Sequence, residues 1–284
     1  MNRQDKRHRK ARKGLEGPNF SGQHLLHNKR VIQEMIQLAG ITSADTVLEI
    51  GAGKGAFTLS LAERAKHVLA VEYDPVFVEV LRKKAEGYRN IKVIERDILK
   101  TSLPRDPFSV VASIPYSITT PILEKLLYPP SSAIQRAVLM IEYGAAKRFT
   151  ANSIINPRIL KWRIWFEMKL IRVVGRSHFS PPPRVDSAIL RVRRRSSPLV
   201  ASHHHSRFVA LAEYGLRCPE LPIYEALNGV FTPPQLKHVL RDVGRERDAP
   251  ICSLNEDQWG VVFLAMLRHV EPHRWPKKQR RRDR

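Results

Sequence analysis

Four consecutive residues, Ser113-Ile114-Pro115-Tyr116, have the chemistry needed to hold an amine for methylation. A small polar residue, a variable residue, a proline and an aromatic residue, in this order after a strand, are typical of enzymes that methylate exocyclic amino groups of nucleobases. The lone pair of adenine N6 is delocalised into the ring, so this amine is a poor nucleophile. Two hydrogen-bond acceptors on its N–H groups would direct the lone pair toward the methyl group.

Each of these four residues has an expected role. The hydroxyl of Ser113 and the carbonyl of Ile114 are the candidate acceptors. Pro115 fixes the backbone direction, and the ring of Tyr116 can stack on the base. A strong general base is unnecessary, because the amine becomes acidic once it is methylated. The structural alternative is a strand that ends at an X-Pro turn with a packed tyrosine.

A glycine-rich turn earlier in the chain is a candidate site for the methyl donor. It reads Glu49-Ile50-Gly51-Ala52-Gly53-Lys54-Gly55 and joins an apolar strand to a helix. Small residues allow the backbone to approach a ligand closely, so we expect Gly51 and Gly53 to lie against it. Glu49 precedes the first glycine, where the charged amino-acid end of S-adenosyl-L-methionine would lie.

Two acidic residues end the next strands. Glu72 can accept hydrogen bonds from both hydroxyls of a ribose, and Asp97 can accept one from the exocyclic amine of an adenine. A dinucleotide and S-adenosylmethionine both fit this order of a loop and two acids. The turn departs from the G-x-G-x-x-G spacing, and Asp97 has no evident dinucleotide role, so the spacing favours S-adenosylmethionine.

A proline-rich segment, residues 178–187, reads HFSPPPRVDS. Three consecutive prolines predict a rigid extended loop. Such a loop can hold Phe179 against a base, on the face opposite Tyr116. The structural alternative is a stiff connector with a buried phenylalanine.

Alternating strands and helices are predicted to position these residues. Apolar strands separated by helices indicate a parallel sheet covered on both faces, which is a doubly wound α/β fold. The predicted strands are Thr46–Ile50, His67–Glu72, Ile91–Glu95, Phe108–Ser113, 136–142 and 188–192. The predicted helices are 28–39, 56–66, 75–86 and 122–127 in this part, then 205–217, 219–227, 233–242 and 256–269.

The chain is predicted to have four parts. Residues 1–14 form a basic tail, and residues 15–195 a Rossmann-like catalytic domain of the class I S-adenosylmethionine-dependent methyltransferase type. Residues 196–275 form a small all-helical RNA-binding domain, and residues 276–284 a second basic tail. Trp162 and Trp165 are interpreted as core residues.

The charge favours a polyanionic partner. The 284 residues carry a formal net charge of +22, from 49 Lys and Arg against 27 Asp and Glu. Half of this excess lies in residues 1–13 and 276–284, which we expect to raise RNA affinity without selecting the base. No apolar run predicts a membrane span, the N-terminal residues are unlike a signal peptide, and two cysteines indicate a reducing compartment. We therefore expect a cytoplasmic protein with no membrane partner.

Three adjacent histidines, His203 to His205, are not expected to bind a metal. Adjacent side chains at a helix start should point in different directions, and no cysteine or acid is spaced for zinc. A solvated linker is the predicted alternative, and no metal site is predicted.

Seven segments resemble the Erm family of 23S rRNA adenine-N6 methyltransferases, which is related to the small-subunit rRNA adenine dimethyltransferases. They are GQHLL at 22–26, EIGAGKG at 49–55, EYD at 72–74, RDIL at 96–99, IPYSITTPIL at 114–123, GAAKRF at 144–149 and HFSPPPRVDS at 178–187. The resemblance extends from about residue 19 to residue 195. The helical C-terminal region resembles the small domain of the family more loosely.

The resemblance implies a substrate and a set of site residues. The substrate is a single adenine in the peptidyl-transferase loop of 23S rRNA, as protein-free RNA or an early assembly precursor. One or two methyl groups are added by a monomeric enzyme, and the product confers resistance to macrolides, lincosamides and streptogramin B. Tyr116 and Phe179 would flank the adenine. The implied contacts to S-adenosylmethionine come from His24, Leu26, Gly51, Glu72, Asp97 and Ser113.

Two residues depart from the family pattern. The family usually has asparagine at the position of Ser113, and asparagine is common at the position of His24. The shorter Ser113 would hold the amine less well, with a loss of about 100-fold in rate by analogy with an oxyanion-hole donor. Two alternative functions follow. One is a housekeeping small-subunit rRNA adenine dimethyltransferase, and the other is a weakly active RNA-binding factor on the same fold.

Overall fold

A seven-stranded sheet is the centre of the computed structural model, which describes residues 24–127 and 132–277. The strands, in chain order, are β1 (Leu25–Leu26), β2 (Thr46–Ile50), β3 (His67–Glu72), β4 (Ile91–Glu95), β5 (Phe108–Ser113), β6 (Ile134–Glu142), β7 (Phe166–Val174), β8 (Phe179–Ser180) and β9 (Ser187–Arg194). The large sheet has the order β4-β3-β2-β5-β6-β9-β7, and β1 pairs with β8 in a separate antiparallel ribbon.

Ten α-helices accompany the strands in the described part of the chain. They are α1 (Lys29–Ala39), α2 (Thr58–Ala62), α3 (Pro75–Ala85), α4 (Thr119–Leu127), α5 (Tyr143–Phe149), α6 (Pro157–Trp165), α7 (His205–Gly215), α8 (Ile223–Leu227), α9 (Pro233–Val243) and α10 (Glu256–His269). The side chain of Asn28 caps α1 by accepting hydrogen bonds from the N–H groups of Arg30 and Val31, and Pro75 occupies the first turn of α3.

The predicted α/β fold is confirmed. Strands β2, β3, β4 and β5 have the predicted bounds, and the pairs β2–β3, β2–β5, β3–β4 and β5–β6 are all parallel. Strands β2 and β5 are almost entirely buried, because both have strand neighbours on each side. Their carboxyl ends lie at one edge of the sheet, where α/β proteins bind ligands.

Several elements differ from the prediction. Helix α2 covers only five residues of the predicted 56–66, and α4 begins three residues earlier than predicted. Strand β7 has no predicted counterpart, although its first five residues, FEMKL, alternate between apolar and charged as in a half-buried strand. Helices α5 and α6 are also additional. The N-cap Asn156 and the proline at the start of α6 are signals that could have identified that helix.

The described residues divide into two compact units. The first contains the described residues through Leu126, with Ala133–Ala146 and Leu170–Arg191. The second contains Leu127, Ser132, Lys147–Lys169 and the described residues from Val192 onward. The predicted boundary after residue 195 would have placed 147–169 in the catalytic domain.

A cluster of aromatic side chains explains why α6 belongs to the second unit. Trp162 and Trp165 are buried, as predicted. The ring of Trp165 packs edge-on against Phe208 of α7, with 5.9 Å between ring centroids. Arg163, on the same helix, forms an ion pair with Glu256 at the start of α10. After β9, the described residues contain no strand, in agreement with the predicted helical region.

The three adjacent histidines differ from the prediction. The rings of His203 and His204 do not point apart, since their Nε2 atoms are 3.1 Å from each other. Both residues lie in a 3₁₀ turn, Ser202–His204, and their rings are in contact, with 4.0 Å between centroids. His205 is buried beside Trp165 rather than solvated. In the described residues, no group of three potential ligands could hold a metal ion.

None of the described helices is both long and apolar enough to cross a bilayer. Residues 1–14 and most of 276–284, the predicted basic tails, lie outside the described residues.

Candidate active site

The first unit brings most of the predicted site residues to the carboxyl edge of the sheet. Strand register aligns Ile50 of β2 with Val71 of β3 and Ala112 of β5, so the residues that follow these strands meet. One cavity at this edge is lined by both the glycine-rich turn and the Ser113–Tyr116 run. Its lining residues include His24, Gly51, Gly53, Glu72, Ser113, Ile114, Pro115, Tyr116 and Phe179. We call it the site cavity.

The glycine-rich turn could not hold larger residues in this conformation. Gly51 and Gly53 have φ values of +67° and +52°, which favour glycine. A Cβ on Gly53 would lie 3.1 Å from the Leu25 side chain, and one on Gly51 would lie 3.5 Å from the Ser113 carbonyl oxygen. The absence of side chains here therefore keeps open the space between the turn and the end of β5.

Glu72 is buried and organises the turn. One carboxylate oxygen accepts a hydrogen bond from the N–H of Gly53 at 2.7 Å. The other accepts two, from the N–H groups of Tyr73 and Asp74, at 2.8 and 2.9 Å. A carboxylate has about four acceptor positions, so roughly one remains. While Glu72 accepts the Gly53 N–H, it can accept a hydrogen bond from one of the two ribose hydroxyls rather than from both.

The Ser113–Tyr116 run is anchored on both sides. The Ile114 N–H donates a hydrogen bond to the Met140 carbonyl of β6 at 3.0 Å, which fixes the backbone beside the candidate acceptors. The Tyr116 hydroxyl lies 2.7 Å from Oγ of Ser187, and Ser187 is fully buried. Burial raises the pKa of Tyr116 above its usual value, so the phenol stays neutral at physiological pH.

The proline-rich segment is tied to the residues before α1. Ribbon pairing joins Leu26 to Phe179, and the ring Nδ1–H of His24 donates to the Pro181 carbonyl at 2.8 Å. Phe179 lines the site cavity but is 96% buried within a core cluster that also contains Leu26. Its expected position on the face of a base opposite Tyr116 stays a prediction.

Three of the predicted cofactor residues, Leu26, Asp97 and Glu49, do not line the site cavity. Leu26 lines an adjoining cavity instead. Asp97 lines neither of these two cavities, and its carboxylate accepts a hydrogen bond from the Leu99 N–H at 2.8 Å, capping a 3₁₀ turn. Its expected contact with an adenine amine stays a prediction.

Glu49 lies away from both cavities. Its side chain is completely buried within β2, and it accepts a hydrogen bond of 2.5 Å from the Thr58 hydroxyl at the start of α2. In this buried position, Glu49 does not face the space in which the charged amino-acid end of S-adenosylmethionine was expected. Burial raises the pKa of Glu49 to about 8, since an ionised carboxylate loses its hydration there.

This buried acid gives a prediction for stability. The contribution of neutral Glu49 to the free energy of unfolding is complete below its ordinary pKa of 4.5. This contribution is lost as the pH rises toward 8. Glu49→Gln is neutral at every pH. We expect the unfolding free energy of the wild type, relative to this variant, to fall between pH 4.5 and 8 by up to roughly 5 kcal/mol.

Urea unfolding at several pH values measures this difference. Glu79→Gln is a matched control, because Glu79 is an exposed residue of α3 paired only with Lys83. A difference between wild type and Glu49→Gln that does not change with pH would contradict a buried neutral acid.

The residues of the site cavity fit S-adenosylmethionine. The space that a Cβ on Gly51 or Gly53 would fill is the passage a ligand needs, and the buried Glu72 retains one acceptor position for a ribose hydroxyl. Sequence reasoning missed Ser187 and Phe77. Ser187 ends the conspicuous proline-rich segment, but nothing in its pattern links it to Tyr116. Phe77 lies on α3 and lines the site cavity.

Comparison with curated proteins reveals close relatives. The family model described as ribosomal RNA adenine dimethylase matches residues 16–259. An rRNA adenine N-6-methyltransferase of Bacillus licheniformis is 46% identical over 267 residues, covering 94% of this chain and 93% of the relative. Ribosomal RNA small subunit methyltransferase A of Dehalococcoides mccartyi is 32% identical, covering 90% of this chain and 88% of the relative.

Two solved structures resemble most of the chain. The 23S rRNA methyltransferase ErmE has a TM-score of 0.78 at 29% identity, covering 86% of this chain and 100% of that one. A dimethyladenosine transferase of Plasmodium falciparum has a TM-score of 0.69 at 26% identity, covering 86% and 96%. The chain therefore belongs to the ribosomal RNA adenine dimethylase family of S-adenosylmethionine-dependent rRNA adenine N6-methyltransferases.

Proposed function

We propose that this enzyme methylates N6 of a single adenine in the peptidyl-transferase loop of 23S rRNA. The observation that carries the proposal is the lining of the site cavity, which combines Gly51, Gly53 and Glu72 with the whole Ser113–Tyr116 run. A donor site and an amine-holding site in one cavity are what a direct methyl transfer requires.

S-adenosylmethionine, when bound, supplies an electrophilic methyl group on a sulfonium. We propose that the glycine-rich turn and Glu72 hold it, with further contacts from His24, Leu26, Asp97 and Ser113. The Ser113 hydroxyl and the Ile114 carbonyl accept the two N–H bonds of the adenine amine. Pro115 fixes their direction, while Tyr116 and Phe179 flank the base. The target adenine has to be unpaired or flipped out to reach this cavity.

Two observations support 23S rRNA over another ribosomal RNA. ErmE is a 23S rRNA methyltransferase, and its structure is covered completely by this chain. The segments 114–123 and 144–149 also resemble the Erm family more than the small-subunit enzymes. The proposal includes resistance to macrolides, lincosamides and streptogramin B, a monomeric enzyme, and action in the cytoplasm on protein-free rRNA or an early precursor.

A small-subunit rRNA dimethyltransferase is the second candidate function. The relative from Dehalococcoides mccartyi favours it, because its name states the small subunit and it aligns over 90% of this chain. Labelled S-adenosylmethionine and protein-free 23S and 16S rRNA, incubated separately, distinguish the two. We expect label in 23S rRNA. Label in 16S rRNA alone would contradict the proposal, and RNA binding without any label would favour a weakly active RNA-binding factor.

Substitution of Ser113 tests its role in the same assay. Ser113→Asn supplies a longer acceptor and is expected to raise kcat, whereas Ser113→Ala removes the acceptor and should lower kcat about 100-fold. Donor binding, measured by calorimetry on both variants, separates the effect on the amine from the implied contact of Ser113 with S-adenosylmethionine. If Ser113→Asn does not raise kcat, the interpretation of Ser113 as a short acceptor is wrong.

A further inference from the structure

A second cavity adjoins the site cavity and has a strongly basic lining. Its volume is about 860 Å³, and it shares lining residues with the site cavity. The shared residues are His24, Leu25, Gly51, Phe77 and Ser113. We call it the basic cavity. We propose that three lysines lining it, Lys29, Lys54 and Lys84, bind backbone phosphates of the RNA strand that carries the target adenine.

Three separate elements contribute these lysines. Lys29 is the first residue of α1, Lys54 lies in the glycine-rich turn, and Lys84 lies in the last turn of α3. All three are exposed. The Lys84 ammonium donates a hydrogen bond to the Lys54 carbonyl at 2.7 Å, and the Lys54 ammonium lies 5.9 Å from the centroid of the Phe77 ring. The turn that shapes the donor site is therefore linked directly to two of the lysines.

No carboxylate of the described residues lines the basic cavity. Its lining includes two histidines besides the lysines, His24 and His27, but no aspartate or glutamate. The ion pairs found in residues 24–127 and 132–277 do not involve any of the three lysines. In the site cavity, by contrast, Glu72 supplies a carboxylate. The three lysines thus line the basic cavity, whereas the carboxylate of Glu72 lines the site cavity.

Such a cluster of cations is suited to an anion, and RNA provides one on every nucleotide. Lysines repel one another unless a counter-ion lies between them, and their ammonium groups bind phosphate as point charges. Ser113 lines both cavities. When the adenine is held at Ser113, the phosphates of its own strand therefore follow close to the basic cavity. The inference rests on the proposed function, because it takes Ser113 as the place where the adenine is held.

The carboxylate of the methyl donor is a second source of the same chemistry. It carries a single negative charge, whereas three lysines from three elements surround the basic cavity. Several phosphates match that number of cations better than one carboxylate does. The two sources differ in their measurable consequences, because phosphate binding affects the salt dependence of RNA affinity and carboxylate binding affects the affinity for S-adenosylmethionine.

The test is the triple variant Lys29→Gln, Lys54→Gln, Lys84→Gln in the full chain. Its binding to fluorescent, protein-free 23S and 16S rRNA fragments is measured by anisotropy at several KCl concentrations. Three lost contacts to a single strand should reduce the slope of log affinity against log salt by about 2. If the two proteins bind equally at 1 M salt, the variant should therefore bind roughly 100-fold more weakly than the wild type at 0.1 M. S-adenosylmethionine affinity is measured by calorimetry on the same variant and on Lys29→Gln alone, which lies outside the glycine-rich turn and should change it less than about twofold.

A matched control removes three charges from the opposite edge of the sheet. Lys66, Arg89 and Arg105 are exposed and precede β3, β4 and β5, so they lie at the amino ends of these parallel strands. Their change to glutamine should leave most of the slope intact. An equal loss of slope in both triple variants, or an unchanged slope in the first, would overturn the proposal. Weaker S-adenosylmethionine binding with an unchanged slope would assign the lysines to the donor carboxylate instead.

This experiment remains informative if the proposed substrate is wrong. The slope is compared on whichever of the two RNAs accepts label from S-adenosylmethionine. Label in 16S rRNA alone would overturn the choice of 23S rRNA, while a reduced slope on 16S rRNA would still support phosphate binding by the three lysines.

Discussion

Tyr116→Ala is expected to lower kcat/KM for rRNA about 100-fold, because stacking of a base on an aromatic side chain is worth about 1–3 kcal/mol and orients the amine as well. The ring lines the site cavity, and Ser187 fixes its hydroxyl at 2.7 Å. Donor affinity should remain near that of the wild type, since Glu72 and the glycine-rich turn are unaffected. Methylation kinetics and calorimetry, performed on the same preparations, measure the two quantities.

Two milder variants separate the ring from its hydrogen bond. Tyr116→Phe and Ser187→Ala each keep the ring but remove the contact between the two hydroxyls. A hydrogen bond of this kind is worth about 1 kcal/mol, so a loss of about fivefold is expected. Loss of activity in Tyr116→Phe as large as that in Tyr116→Ala would show that the phenol, rather than stacking, carries the effect.

Glu72→Ala is expected to raise the Kd for S-adenosylmethionine at least about 100-fold, since a charged acceptor contributes about 1.5–3 kcal/mol for each hydrogen bond. Three backbone N–H groups lose their acceptor in this variant, including that of Gly53. The turn then loses the conformation that keeps the donor passage open. Calorimetric titration measures the affinity for the donor.

Folding and RNA binding provide the controls for this second variant. Circular dichroism reports whether the sheet is retained, and the RNA affinity at moderate salt should stay close to the wild-type value. Glu79→Ala, on the exposed face of α3, removes a carboxylate without touching the turn. Unchanged donor affinity in folded Glu72→Ala would remove Glu72 from the proposed donor site.

The part of the fold that sequence reasoning predicted well is the part with uninterrupted apolar runs. Strands β2 and β5 are buried between neighbours, so their composition alone identifies their bounds. Strand β7 has no such apolar run, because charged residues alternate with its first apolar ones, a pattern typical of a strand with one solvated face. The composition of the chain also did not reveal that residues 147–169 pack with the later helices, which depends on the contact of Trp165 with Phe208.

Motif spacing predicted which residues meet but not how their side chains are directed. Gly51, Glu72 and Ser113 lie together because parallel strands end at one edge. Glu49 lies near the same end of β2, yet its side chain is buried and hydrogen-bonded to Thr58. The link between Tyr116 and Ser187 spans 71 residues, and only the three-dimensional structure brings this pair together.

Nucleoside and fragment mass spectrometry of methylated RNA tests the central claim most directly. Protein-free 23S rRNA is treated with the enzyme and S-adenosylmethionine, and the modified base and its position are then identified. The account predicts N6-methylated adenine at one position in the peptidyl-transferase loop, and its near-complete loss when Ser113→Ala is combined with Tyr116→Ala. A methyl group on another base or on ribose, or full methylation by the double variant, would contradict it.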